Sequence, residues 1–138
     1  MWAFFSNART PLLAICTAVL FPTIAAADCW IAGNFRGQTA TADNAYRFTQ
    51  DGFADGMSIC FTEDSGVISG NDLPLVRVGR STLVGFSVTE HGLEVVNVYQ
   101  IDRANSTLLL TQSRIGTATI TPLLPDYAGV FVAEVVRR

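Results

Sequence analysis

Residues 82–114, TLVGFSVTEHGLEVVNVYQIDRANSTLLLTQSR, constrain the fold more than any other part of the chain. Apolar residues recur there at every second position, β-branched types dominate, and two short polar stretches, His91-Gly92 and Ala104-Asn105-Ser106, interrupt the run. A spacing of two is the period of a strand with one buried face, whereas a helix would repeat at threes and fours. The run therefore predicts three antiparallel strands joined by two tight turns.

The same alternation places further strands near residues 45–50, 57–62, 75–78, 118–121 and 130–136. Turn signals separate them: Asp51-Gly52, Asp55-Gly56, Asp64-Ser65-Gly66 and Gly70-Asn71-Asp72. No long amphipathic helix, internal repeat or low-complexity tract interrupts the pattern. The expectation is an all-β fold, a small antiparallel meander closing as a barrel or folding over as a sandwich, with one disulfide. Residues 126–136 read as strand over most of their length without excluding helix.

Register follows from turn length. If His91-Gly92 is a two-residue turn, Val88 faces Val95, Phe86 faces Asn97 and Val84 faces Tyr99, all on the more apolar face. That face is the expected core side, and Asn97 is its one misfit. The second turn, built on Asp102 and Asn105-Ser106, admits two registers. A four-residue loop turns Leu108 and Leu110 inward and sets Gln112 beside Asn97 and Arg114 beside Val95. A three-residue loop with a bulge turns Leu109 inward instead.

In the four-residue register, Asn97, Gln112 and Arg114 gather at one end of a face that Phe86 and Tyr99 share. Buried polar groups cost free energy unless they are hydrogen-bonded. One reading is a ligand cavity lined by Phe86, Asn97, Tyr99, Gln112 and Arg114, whose polar end orients a small apolar molecule. The other, which the position favours, is a sheet end that meets water, as strand termini generally do. A small barrel is expected to be filled by its own side chains.

Residues 1–27 have the form of a secretory signal: Arg9, an uncharged, mostly apolar run over 12–24, and the small residues Ala25-Ala26-Ala27. Cleavage before Asp28 would leave a single β domain, 28–138. An uncleaved anchor needs about 20 apolar residues, and Pro11, Pro22 and the alanines bracket a shorter run. Cys16 follows Ile15, where a lipoprotein signal would carry a small residue. With Cys16 removed, Cys29 and Cys60 remain as one pair, expected to be oxidised outside the cytoplasm. Such a bond, closing about 32 residues, would stabilise the fold by roughly 3.5–4 kcal/mol on chain-entropy grounds.

Nine basic residues against twelve acidic ones become eight against twelve once Arg9 departs, a net charge of −4. That argues against nucleic acid and against anionic membrane surfaces as partners. The basic residues are all arginine, which reads as GC-rich codon usage and hence a bacterial chain bound for the periplasm or the medium. An outer-membrane barrel is disfavoured, because both strand faces mix polar and apolar residues, and no stable membrane insertion is expected after cleavage.

Catalytic chemistry finds few footholds. The one histidine, His91, sits beside Gly92 in a turn, and no GxSxG elbow occurs. Asp51, Asp55, Glu63, Asp64, Asp72 and Asp126 fall in or beside turns, where turn chemistry accounts for them. The acidic loops lack the alternating ligands of a calcium loop, and no CxxC spacing suggests zinc or redox work. No catalytic residue, metal site or cofactor is therefore assigned. Asn105-Ser106-Thr107 matches a glycosylation acceptor but reads as a turn. Trp30 is expected to pack against the disulfide, and Phe48, Phe53, Phe61, Phe86 and Phe131 are core candidates. The function class that fits best is an exported binding or inhibitory module for a protein or small apolar ligand. A structural or envelope-assembly component comes second, and a small hydrolase third.

Overall fold

The computed structural model describes residues 28–120 and 124–138; the leader reading of 1–27 lies outside them. The strands are β1 (Asp28–Thr41), β2 (Thr49–Phe53), β3 (Met57–Phe61), β4 (Gly66–Ile68), β5 (Leu75–Arg77), β6 (Thr82–Val88), β7 (Glu94–Asp102), β8 (Thr107–Ile115) and β9 (Tyr127–Arg137). All pairings are antiparallel, in the order β4-β3-β1-β9-β8-β7-β6-β5, with β2 added to β1. The sheet curls until its ends nearly meet as a barrel. Across the remaining gap Ser65 Oγ donates to the Leu75 carbonyl and the Arg77 amide donates to the Asp64 carbonyl, both at 2.8 Å. No helix among the described residues is long and apolar enough to cross a membrane.

The longest strand, β1, is one the alternation did not announce. Its inward residues are Trp30 and Ala32, then Phe35 and Thr39, so the parity changes along the strand. The cause is a bulge: pairing with β9 shifts between Gly33 and Arg36, and Asn34 takes φ 56°, a left-handed conformation that asparagine tolerates. At the β1–β2 connection the expected strand over 45–50 starts only at Thr49, because Ala45 and Tyr46 are also left-handed. Near the other end of the chain, the expected strand over 118–121 is corrected to a single helical turn, α1 (Thr117–Ile120), with Thr121 outside the described residues. Residues 127–137 are strand.

The register of the first hairpin is corrected by one residue. Thr89 and Leu93 bracket a three-residue loop, Glu90-His91-Gly92: the Thr89 amide donates to the Leu93 carbonyl at 2.9 Å and the Gly92 amide to the Thr89 carbonyl at 3.0 Å. Gly92 takes φ 83°, the left-handed position that ends such a loop. The odd loop pairs Leu83 with Tyr99, Gly85 with Asn97 and Phe86 with Val96. Since side chains alternate faces, β6 is turned over: Leu83 is fully buried, while Phe86 and Val88 are on the outside. The inward set of β7, Val95, Asn97 and Tyr99, is as expected. The second hairpin has the four-residue loop, pairing Asp102 with Thr107, and Leu108 and Leu110 are fully buried while Leu109 is exposed.

Cys29 and Cys60 face each other directly on β1 and β3 and form the expected disulfide. Their neighbours Trp30, Ile59 and Phe61 are inside, so the bond lies on the outer face. Trp30 accordingly does not pack on it. It lies in the core with Arg103 over its ring, at 5.3 Å, and its Nε1 donates to Asp28 Oδ1 at 3.0 Å. Among the phenylalanines, Phe61 and Phe131 are buried and Phe53 stacks on Phe35, whereas Phe48 and Phe86 are exposed.

A pocket at the polar end of the barrel

Paired residues of neighbouring strands form lateral rows across the inner face. One row runs Leu83, Tyr99, Leu110, Phe131, Gly37 and is apolar apart from one hydroxyl. The next runs Gly85, Asn97, Gln112, Gly129, Thr39, without a single large apolar side chain. The row beyond holds Ser87, Val95, Arg114, Tyr127 and Thr41. The interior thus turns from apolar to polar within one strand repeat, about 7 Å.

Glycines in the middle row make space that neighbours use selectively. A Cβ at Gly85 would stand 2.6 Å from Leu73 Cδ2, so leucine from the β4–β5 connection covers that position. At Gly129 a Cβ would stand 2.4 Å from the Tyr127 hydroxyl and 2.7 Å from Phe131, so Tyr127 folds back along its own strand. Between these two covers lies a pocket of about 230 Å³, lined by Leu93, Val95, Asn97, Gln112, Ser113, Arg114 and Tyr127.

Asn97 is buried, and its Nδ2 donates to the Tyr99 hydroxyl at 3.2 Å; Asn71 Nδ2 reaches the same oxygen from the β4–β5 connection at 2.8 Å. Burial pushes the Tyr99 phenol above its ordinary pKa, although both amides oppose the shift. Arg114 lays its guanidinium over the Tyr127 ring, 4.9 Å from the centroid. Its Nε is buried without a hydrogen-bond partner among the described residues. The Tyr127 phenol is likewise raised, by burial first and by the charge of Asp51 second, against the lowering effect of Arg114. Behind the pocket, Asp126 Oδ1 accepts from the amide of Thr117 at 3.2 Å and from its hydroxyl at 3.0 Å, fixing the start of the β8–β9 connection.

Of the residues proposed from sequence, the structure brings Asn97, Gln112 and Arg114 together at the pocket, and Tyr99 sits behind Asn97 as its hydrogen-bond partner. Phe86 lies on the opposite face of the sheet. Leu93, Val95, Ser113 and Tyr127 were not singled out. Tyr127 reaches the pocket only through β8–β9 pairing, and its one local signal is an aromatic two residues ahead of a glycine. His91 is exposed in its turn, 3.5 Å from Glu90. Among the described residues no group of three or more histidine, cysteine or acidic side chains could hold a metal ion. Compared with protein families, curated proteins and solved structures, the chain matches nothing.

Proposed function

We propose that the chain is an exported binding module, a disulfide-tied β-barrel that takes a small ligand into the polar end of its interior. The observation that carries this reading is the convergence of Asn97, Gln112 and Arg114 with apolar Leu93, Val95 and the Tyr127 ring around one pocket. Apolar walls with a few convergent polar groups are the general composition of a small-molecule site. At about 230 Å³ the pocket is smaller than the roughly 300–1,000 Å³ of sites for drug-sized ligands, so the ligand is small. Export is supported by the leader-like residues 1–27 and by the Cys29–Cys60 bond, which persists in the periplasm or medium.

Native mass spectrometry of the protein purified from an exporting host, followed by an NMR screen of small amphipathic fragments, tests the reading. The expected result is saturable amide shifts at Val95, Asn97 and Ser113. A screen in which no fragment moves those amides overturns it.

A second reading, an assembly component, draws on the outer face. Val76, Phe86, Val88 and Val96 are all exposed there, and the pairings bring them into neighbouring positions on β5 to β7. Contiguous exposed apolar surface of this kind marks interaction sites. Under this reading copies of the chain pack face to face, and sedimentation would show a dimer that Phe86→Glu dissolves; a wild-type monomer at high concentration removes it.

A further inference from the structure

Three arginines of the barrel lie over aromatic rings, and their hydrogen bonding separates them. Arg77, over Phe61, donates to the carbonyls of Thr62, Gly79 and Arg80. Arg103, over Trp30 and Phe61, donates to Ser81 Oγ, the Arg80 carbonyl and the Asp28 carboxylate. Arg114, over Tyr127, makes no hydrogen bond or ion pair among the described residues, and its Nε is shut off from water. A guanidinium cannot shed its proton to escape such a position. A buried donor without an acceptor is costly, and native structures rarely keep one without a reason.

We infer that the pocket takes a small carboxylate, held by the terminal nitrogens of Arg114, with its apolar body against Leu93, Val95 and the Tyr127 ring. This rests on the reading of the pocket as a binding site. Arg114 is part of the pocket lining, and its two terminal Nη groups, which are not closed off as Nε is and make no hydrogen bond among the described residues, carry the pair of parallel N–H donors that match the two oxygens of a carboxylate. The cation has no internal competitor: no acidic oxygen among the described residues lies within ion-pair distance of it. Asp51, whose charge acts on Tyr127, is exposed and turns one oxygen to the Gly52 amide at 2.7 Å. The Asn97 and Gln112 amides stand one row deeper and can meet a second polar atom of the ligand. A phosphate could accept the same pair of N–H groups, but the apolar walls favour an acid with a carbon chain or ring.

The test is titration of the isotopically labelled protein, purified from an exporting host, with hexanoate, benzoate, hexanol and inorganic phosphate, repeated on Arg114→Met and Arg114→Lys. Hexanoate or benzoate should shift the amides of Val95, Asn97 and Ser113 at least tenfold more tightly than hexanol does. Arg114→Met should abolish that preference while leaving hexanol unchanged. Arg114→Lys, which keeps the charge and loses the fork, should recover only part of it, and it serves alone should the methionine variant not fold. Equal binding of hexanol and hexanoate at these amides overturns the carboxylate and leaves the binding-module reading standing. Saturation by phosphate but not by hexanoate overturns it in favour of a phosphate ligand. No shift with any probe overturns both.

Discussion

Arg103, just ahead of β8, and Arg114, near its end, each lie over an aromatic ring, Trp30 at 5.3 Å and Tyr127 at 4.9 Å. Around Arg103 two elements contribute acceptors: Ser81 and Arg80 from the β5–β6 connection and Asp28 from β1. Beneath it the interior is packed with Trp30, Ile59, Phe61, Ile101 and Leu108, and the disulfide ties β1 to β3 on the outside. Around Arg114 no acceptor is paired among the described residues, the inner row is glycine, amide and hydroxyl, and a pocket remains. One end of the barrel is thus sealed by its own side chains, and the other keeps an arginine without an acceptor among the described residues. The lesson is that a small barrel can pack one end with its own side chains and leave a pocket at the other.

The sharpest way to break the comparison is along β8 itself. Leu110→Ala should cost about 3 kcal/mol, the usual loss for a buried leucine, whereas Gln112→Ala, two residues further, should cost less than about 1 kcal/mol. Equal losses in chemical denaturation would make the polar end part of the structural core.

Next come the two arginines. Arg103→Met should destabilise by about 1–3 kcal/mol, because it strands Asp28 and several carbonyl and hydroxyl acceptors. Arg114→Met should be neutral or slightly stabilising, since it removes an orphan donor. The pH dependence sharpens this. The hydrogen bond from Arg103 is the first cause that holds the Asp28 carboxyl below its ordinary pKa, against the opposing effect of burial. A depressed carboxylate contributes stability above its unfolded pKa, about 4, and that contribution is lost as pH falls through the lower folded value. Melts between pH 7 and pH 2 should therefore show an acid-sensitive component that Arg103→Met removes and Arg114→Met leaves in place.

The smallest effect belongs to His91, exposed in its loop at the polar end. His91→Asn should stay within about 0.5 kcal/mol of wild type and leave ligand titrations unchanged, because the constraint in that loop falls on Gly92. A change in either would draw the loop into the site.

Much of the candidate site was legible in the sequence, and each failure has a physical cause. Asn97, Gln112 and Arg114 could be grouped because they share two adjacent strands whose four-residue connection carries its own turn chemistry: Asp102 Oδ1 accepts from the amides of Ala104 and Asn105, each at 3.1 Å. Phe86 was misplaced because two- and three-residue loops around His91-Gly92 look alike locally, while a shift of one residue exchanges the faces of β6. Tyr127 was missed because its contact with Arg114 crosses to a strand reached only after the β8–β9 connection.

What the sequence determined by itself was local: the period of two over β6 to β8, the residues that turn the chain between them, and the pairing of the two cysteines left by elimination. These are decided by neighbours along the chain and by which faces alternate. What the tertiary structure decided was non-local. The bulge at Asn34 reverses the parity of β1 so that Trp30 and Phe35 both point inward, the loop at Gly92 selects which face of β6 is buried, and closure of the sheet seals Arg103 while leaving Arg114 unpaired. Alternation fixes that a strand has two faces; only packing against the rest of the barrel chooses between them, because the burial that makes the choice comes from residues far away in the chain.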